Sequence, residues 1–180
     1  TKIPLLDGRV VPISELEKEK EFWVYSCTED GKVVPGKGHS ARVTKTVNKL
    51  YRITLDNGEV VECTDNHPFM LRSGEFKRAG LLSVGDSLMP FYRKVREADF
   101  MGGYEEVLNP KTNSYNFTHH VVDDYFNEEK PKGIHVHHVD HNKLNNSPEN
   151  LVRMSKHDHQ SYHAKQGYLV TEYNPSGIHG

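Results

Sequence analysis

Apolar and polar residues alternate in short runs over the first ninety positions. The stretch "LYRITLDNGEVVECTDN" is the clearest case, with alternation on either side of Asn57-Gly58. A period of two belongs to a strand with one covered face. Asn-Gly is the strongest short hairpin signal, because both residues accept positive φ in a type I′ turn. Further turn signals stand at Asp7-Gly8, Asp30-Gly31 and Ser73-Gly74. Only "ISELEKEKEF" (13–22) and "FKRAGLL" (76–82) suggest short helical turns. Many short strands in so short a stretch predict a curled β domain over residues 1–92.

The pattern then changes. Residues 93–114 are charged and glycine-bearing with little periodicity, and read as a connector. "FTHHVVDDYF" places Phe117, Val121, Val122, Tyr125 and Phe126 on one helical face. A strand "IHVHHV", a polar loop "DHNKLNNSPE" and a second strand "NLVRM" follow. Ser155 is then a candidate N-cap, with Asp158 completing a capping box. That helix is predicted to run through Lys165 and to stop near Gly167. Residues 115–170 thus predict a second, small α+β domain, and 171–180 a tail.

Composition narrows the function classes. The 180 residues suffice for one ordinary domain or two small ones. A net charge of −2 argues against an unusually basic nucleic-acid binder. Ten of the twelve histidines fall in residues 119–179, however, so the charge there depends on pH. Two cysteines without a CxxC argue against a disulfide framework and a cysteine-based zinc site, and fit a reducing cytoplasm. No apolar run approaches membrane-spanning length. The chain begins at Thr1 without Met and reads as a piece of something longer.

Seven histidines crowd into residues 135–163. On the capped helix, His159 and His163 stand four apart on one face, where two imidazoles can share a metal ion. His137 and His138 end the first strand, and adjacent strand residues point to opposite sides. One of them is therefore expected to ligate metal while the other faces an attacking water. A neutral imidazole is a suitable general base at working pH. Metal plus an activating His suffices to cut a phosphodiester. The plain alternative is a surface cluster that scavenges metal without catalysis.

The ordered set of strand-HH, D-x-N-x-x-N-N, E-N-L and helical HxxxH over residues 117–166 resembles the HNH endonuclease family, with its ββα-metal motif. That resemblance implies His138 as general base and Asn150 as the residue that holds the loop and orients it. It implies His137, His159 and His163 as ligands to one divalent metal ion (Mg, Mn, Ni or Zn). It gives Asp140 and Asn146 a loop-bracing role. Three imidazoles favour a borderline transition metal over magnesium. His141 stands where the family commonly has Gly, and His135 and His157 are left as surface residues. The implied partner is double-stranded DNA. Candidate phosphate contacts are Lys143, Arg153, Lys156 and Lys165, with Arg93, Lys94 and Arg96 in the connector. Each of these also reads as an ordinary solvated charge.

Residues 1–92 are similar to intein Hint domains. The elements "TKIPLLDGRVVPISEL", "YRITLDNG", Thr64-x-x-His67 with Pro-Phe after it, and "VGDSL" occur in that order. The resemblance implies that Thr64 and His67 sit beside the upstream splice junction, where His twists and protonates the scissile amide while a preceding Cys or Ser attacks it. That nucleophile is expected before Thr1, and the ending "SGIHG" lacks a terminal His-Asn, so splicing is not expected to complete on these residues alone. Cys63 reads as a core thiol. The whole is expected to be a mainly β Hint (hedgehog/intein) domain followed by an α+β HNH domain, in a monomer of phage or bacterial origin. The expected function is that of an intein-associated HNH homing endonuclease. The alternative is a protein-splicing (Hint) element, covalently joined to a host protein (the extein), whose HNH remnant binds metal or DNA without cutting.

Overall fold

One turn recurs four times in the first seventy-five residues and sets the architecture. It spans Leu5–Arg9, Thr28–Lys32, Leu55–Glu59 and Leu71–Glu75. In each, the first amide donates to the fifth carbonyl at 2.8–2.9 Å, and a glycine at the fourth position donates back to the first carbonyl. Gly8, Gly31, Gly58 and Gly74 take φ of +89°, +80°, +83° and +91°. This is a type I turn closed by one left-handed residue, which glycine adopts without steric cost. In three of these turns the side chain before the glycine caps the amide after it, at longest range where Ser73 Oγ accepts from Glu75 at 3.4 Å. Asp7 Oδ1 accepts from Arg9 at 2.9 Å and Asn57 Oδ1 from Glu59 at 3.0 Å. The type I′ turn expected at Asn57-Gly58 does not form. A five-residue loop needs only one positive φ, and Asn57 acts through its side chain instead.

The computed structural model describes residues 1–97, 103–127 and 131–165, the last three by backbone only. The four turns close four antiparallel hairpins. These are β1 (Lys2–Pro4) with β2 (Val10–Pro12), β3 (Glu21–Cys27) with β4 (Val33–His39), β5 (Tyr51–Thr54) with β6 (Val60–Cys63), and β7 (Pro68–Met70) with β8 (Phe76–Arg78). The helical turns expected over 13–22 and 76–82 shrink to 3-10 turns at Ile13–Lys18 and Ala79–Leu81. Aromatic and β-branched residues after Lys20 are better placed in β3, and Phe76–Arg78 pairs with β7. Leu5, Leu6, Leu16, Val33, Cys63, Ala79, Val107, Leu108 and Val122 form the buried apolar core.

Residues 93–114, expected to be an irregular connector, hold strands. β9 (Arg93–Val95) and β11 (Ser114–Phe117) flank β10 (Glu105–Asn109) in a three-stranded antiparallel sheet. β10 is buried from Glu105 to Leu108. Two consecutive glutamates look like solvent residues in a sequence, but here each is neutralised. Arg93 donates to Glu105 at 2.6 Å, Thr118 at 2.9 Å, and the Tyr25 hydroxyl to the same carboxylate. Glu106 takes Arg96 at 3.1 Å and Lys94 at 3.5 Å. Arg93, Lys94 and Arg96, expected as candidate phosphate contacts, are thus each paired with a buried carboxylate, Arg93 mostly covered and Lys94 and Arg96 with their side chains about half exposed.

α1 (Thr118–Phe126) lies against β4, β10 and β11. Its inward face is Thr118, His119, Val122 and Asp123, rotated from the apolar face expected. Polar residues can turn inward because Thr118 meets Glu105 and the Asp123 carboxylate takes the Arg153 guanidinium at 2.8 Å through two nitrogens. Phe126 stays half-exposed, its ring edge-on to Trp23 at 5.6 Å. β12 (Ile134–His138) pairs with β13 (Leu151–Ser155), and α2 (Lys156–Lys165) packs on both. The Ser155 hydroxyl accepts the Asp158 amide at 3.1 Å and donates to its carboxylate at 2.6 Å, which starts α2. The stop expected at Gly167 lies outside the described residues.

The loop between β12 and β13 is seated on the first two hairpins. The Asn146 amide donates to Leu6 O at 2.6 Å, and Trp23 Nε1 donates to Glu149 at 2.8 Å. Leu144 lies so close over Gly8 that a Cβ there would stand 2.9 Å from its carbonyl oxygen. Among the described residues the fold is mainly β with two short α-helices, and no helix is long and apolar enough to cross a membrane.

Candidate functional site: a histidine hairpin on a β scaffold

The adjacent histidines at the end of β12 face opposite ways, as a strand requires. His138 turns toward Tyr104 and His119, with ring centres 5.8 and 5.2 Å away, and is 3% exposed. His137 turns toward α2, its ring 5.1 Å from His159 and 4.8 Å from Tyr162.

Asn146 is the residue that touches His138. Its Oδ1 lies 3.2 Å from His138 Nε2, and its Nδ2 donates to Leu144 O at 3.1 Å. With the amide nitrogen committed to a carbonyl, the oxygen must be what faces the imidazole. Nε2 therefore carries the proton and Nδ1 the lone pair. Burial lowers the His138 pKa and outweighs the opposing effect of its hydrogen bond to Asn146, a balance that favours the neutral ring.

Asn150 makes no hydrogen bond to His138; its contacts lie in the loop. Its Oδ1 accepts the Asp140 amide at 3.0 Å, and its Nδ2 donates to Asp140 Oδ1 and to Asn145 O, each at 2.8 Å. Asp140 also takes the Asn142 amide at 2.8 Å and Asn145 Nδ2 at 2.7 Å. Burial pushes the Asp140 carboxyl up, but these donors prevail and hold it below the usual range. His141 adopts φ +61°, so the turn keeps the left-handed conformation that glycine would take there.

The histidines expected as ligands are brought together only in part. Two imidazoles sharing one tetrahedral ion at about 2.0–2.1 Å per nitrogen would have ring centres about 5 Å apart. The 5.1 Å between His137 and His159 fits that geometry. The His163 side chain lies outside the described residues, and among those described no three His, Cys, Asp or Glu side chains converge on an ion. His135 is exposed but stacks on His159 at 5.5 Å. Of the expected phosphate contacts, Arg153 is bound by Asp123, and Lys143 lies 4.6 Å over the Tyr104 ring. Lys156 is exposed at the start of α2, and the Lys165 side chain is outside the described residues.

Thr64 and His67 stand at the two ends of a turn between β6 and β7. The His67 amide donates to Thr64 O at 3.1 Å, and the Thr64 hydroxyl to Asn66 Oδ1 at 2.8 Å. Amides of the second 3-10 turn hold it from behind, Ala79 N on His67 O and Gly80 N on Asp65 O, both at 2.8 Å. The His67 ring is exposed and sits against Phe69 at 5.2 Å. An imidazole presented on a backbone-anchored turn is placed to act on a group brought to it.

Comparison with known families bears on the intein resemblance. Residues 3–169 match the profile of the intein splicing domain. The chain belongs to that family. The match spans the histidine hairpin as well as the β hairpins, so the splicing element, and not the endonuclease, is the established reading. The splicing domain is 42% identical to the DNA gyrase B protein of Synechocystis sp. over 180 positions, covering 92% of the chain and 16% of the relative. It is 33% identical to replicative DNA helicase DnaB of Rhodothermus marinus over 88 positions, covering 49% of the chain and 9% of the relative. The chain spans less than a fifth of the length of either protein.

Proposed function

We propose that the chain acts as the upstream part of a protein-splicing element lying within a longer host polypeptide, and that His67 is the group that protonates the scissile amide. The observation that carries this is the anchored Thr64–His67 turn, which presents an imidazole at the surface of a family-matched splicing fold. A protonated amide nitrogen is a better leaving group, so the attacking nucleophile displaces it with a lower barrier. The identities of the two relatives suggest a host that works on DNA. The test is a precursor in which this segment is completed by the nucleophile expected before Thr1 and by the downstream splice-junction residues, set between host sequences and followed by gel for the spliced product. His67→Ala is expected to stop cleavage at the upstream junction, while His138→Ala splices as the parent does. Equal splicing by the His67 variant would sink the reading.

A second reading is favoured by a separate observation, the His137–His159 spacing beside a neutral His138. In it, residues 115–170 form an HNH-type nuclease acting on duplex DNA, and a divalent ion, when bound, supplies charge at the scissile phosphate. His137 and His159, with His163, would hold that ion. His138 takes the proton of the attacking water at Nδ1, while Asn146 fixes its other nitrogen. Conversion of supercoiled plasmid with Mg²⁺, Mn²⁺, Ni²⁺ or Zn²⁺, against EDTA and His138→Ala, tests it. No cutting with any metal by the folded chain would remove it.

A further inference from the structure

Residues 31–55 contain no acidic side chain and six basic ones, Lys32, Lys37, Arg42, Lys45, Lys49 and Arg52; the remainder of the chain carries 17 Lys and Arg against 25 Asp and Glu. Charge is thus segregated within a chain of net −2. The middle of this stretch is the link from β4 to β5. Residues 42–50 are all exposed, and among the described residues no backbone hydrogen bond ties down residues 41–50. Val43 is 78% exposed, so the segment is not folded back on the core.

Its cations are also uncommitted in a way that many other basic residues are not. Arg52 pairs with Glu62 and Lys37 with Glu21, whereas Arg93, Arg96 and Arg153 serve buried carboxylates. Arg42 donates to the neighbouring Ser40 carbonyl at 3.2 Å, and Lys49 lies 5.4 Å over Tyr51. Among the described residues none of Arg42, Lys45 and Lys49 is in an ion pair. An extended chain at about 3.3 Å per residue spaces them roughly 10–13 Å apart, so each can meet a separate phosphate along a strand.

The position is equally specific. The segment leaves β4 just beyond Lys37, whose ammonium lies 5.5 Å over Trp23, and Trp23 donates to Glu149 in the histidine loop. The basic segment therefore emerges beside the histidine hairpin.

We propose that residues 42–49 form a binding surface for the phosphate backbone of duplex DNA, with Arg42, Lys45 and Lys49 as contacts. This rests on the duplex-DNA reading of the histidine hairpin only for its biological meaning, since binding is measured apart from cutting. The contacts are to phosphate, so the surface adds affinity and carries no base recognition.

The experiment is fluorescence anisotropy of a labelled thirty-base-pair duplex of random sequence, titrated with the full chain at several salt concentrations. The parent is compared with Arg42→Ala/Lys45→Ala/Lys49→Ala and with the charge-keeping Arg42→Lys/Lys45→Arg/Lys49→Arg. Each lost phosphate contact lowers the slope of log K against log salt by about 0.9, so the alanine variant is expected to lose about 2.7 from the slope and some two orders of magnitude in affinity at about 0.1 M salt. The charge-keeping variant is expected to bind as the parent. An unchanged slope in the alanine variant, no binding by the parent at low salt, or binding to anionic vesicles in place of the duplex would each overturn the proposal. Plasmid cutting with an unmoved slope would refute this surface and leave the nuclease reading standing. A fallen slope without cutting would do the reverse.

Discussion

Asn150→Ala is the sharpest probe of how the histidine loop is held. The side chain is 9% exposed and makes three hydrogen bonds, at 3.0, 2.8 and 2.8 Å, that tie Asp140 to Asn145 across the loop. A hydrogen bond contributes about 0.5–1.5 kcal/mol net, with the upper end for a charged acceptor such as Asp140. Removing all three should destabilise the fold by about 2–4 kcal/mol. At about 2–4 °C per kcal/mol for a chain of this size, Tm should fall by roughly 5–15 °C. Trp23 reports the change directly, because its indole N–H sits on Glu149, the residue before Asn150. Urea and thermal unfolding followed by tryptophan emission and by far-ultraviolet dichroism would measure it. The control is Asn142→Ala, which loses one exposed contact at 3.1 Å to the Leu144 amide and should cost under about 1 kcal/mol. A fall in Tm below about 2 °C, or equal losses in the two variants, would refute the reasoning that Asn150 is the staple.

Other consequences can be checked singly. Lys111 and Thr28, in that order, hold the Asp30 carboxyl down to about 2. The folded value lies below the unfolded one of about 3.9, so the stabilisation is present above about pH 4 and is lost as pH falls through about 2. Carboxyl-carbon NMR should show that midpoint, and Lys111→Met should return it toward the ordinary value; an unmoved midpoint would reject the pairing. Gly8→Ala and Gly58→Ala both put Cβ on a left-handed residue, at φ +89° and +83°, costing about 1 kcal/mol or more. Gly58 faces open space, whereas a Cβ at Gly8 meets Leu144 O at 2.9 Å, so unfolding should show the larger loss at Gly8. Arg153→Met should lower Tm by several degrees because it leaves the buried Asp123 carboxylate without its guanidinium, yet the salt slope of DNA binding should not move.

Local signals are legible where one residue type answers one backbone need. The four turn glycines, the Ser155 cap and the opposed faces of His137 and His138 all follow from spacing. The β10 strand is not legible, because its inward Glu105 and Glu106 depend on Arg93, Arg96, Tyr25 and Thr118, which pair with them only once the sheet exists. The same dependence hides the true inward face of α1, whose buried Asp123 needs Arg153 thirty residues on. It also hides the ion pair of Arg153, which the sequence shows only as a cation near the site. Within the histidine loop, two asparagines four residues apart differ only in where the chain carries them, and the structure gives the contact with His138 to Asn146. The basic run at 31–55 is plain in the composition of that stretch but carries no motif, and what gives it meaning is the exposure of residues 42–50 and the absence, among the described residues, of ion pairs at Arg42, Lys45 and Lys49.

The docking of the histidine loop on Leu6, Gly8 and Trp23 bears on how such a chain can shrink over generations. A deletion that excised the histidine hairpin in one step would strand the Leu6 carbonyl, bare an indole and open a hollow over a glycine. Point substitution at a single imidazole would remove that group and disturb none of these contacts. Descendants of this chain should therefore lose individual imidazoles well before they lose the hairpin that bears them, and keep the hairpin as a buttress. Anyone trimming the chain to a minimal splicing tool inherits the same constraint, and must re-seal Leu6 and Trp23 before removing what covers them.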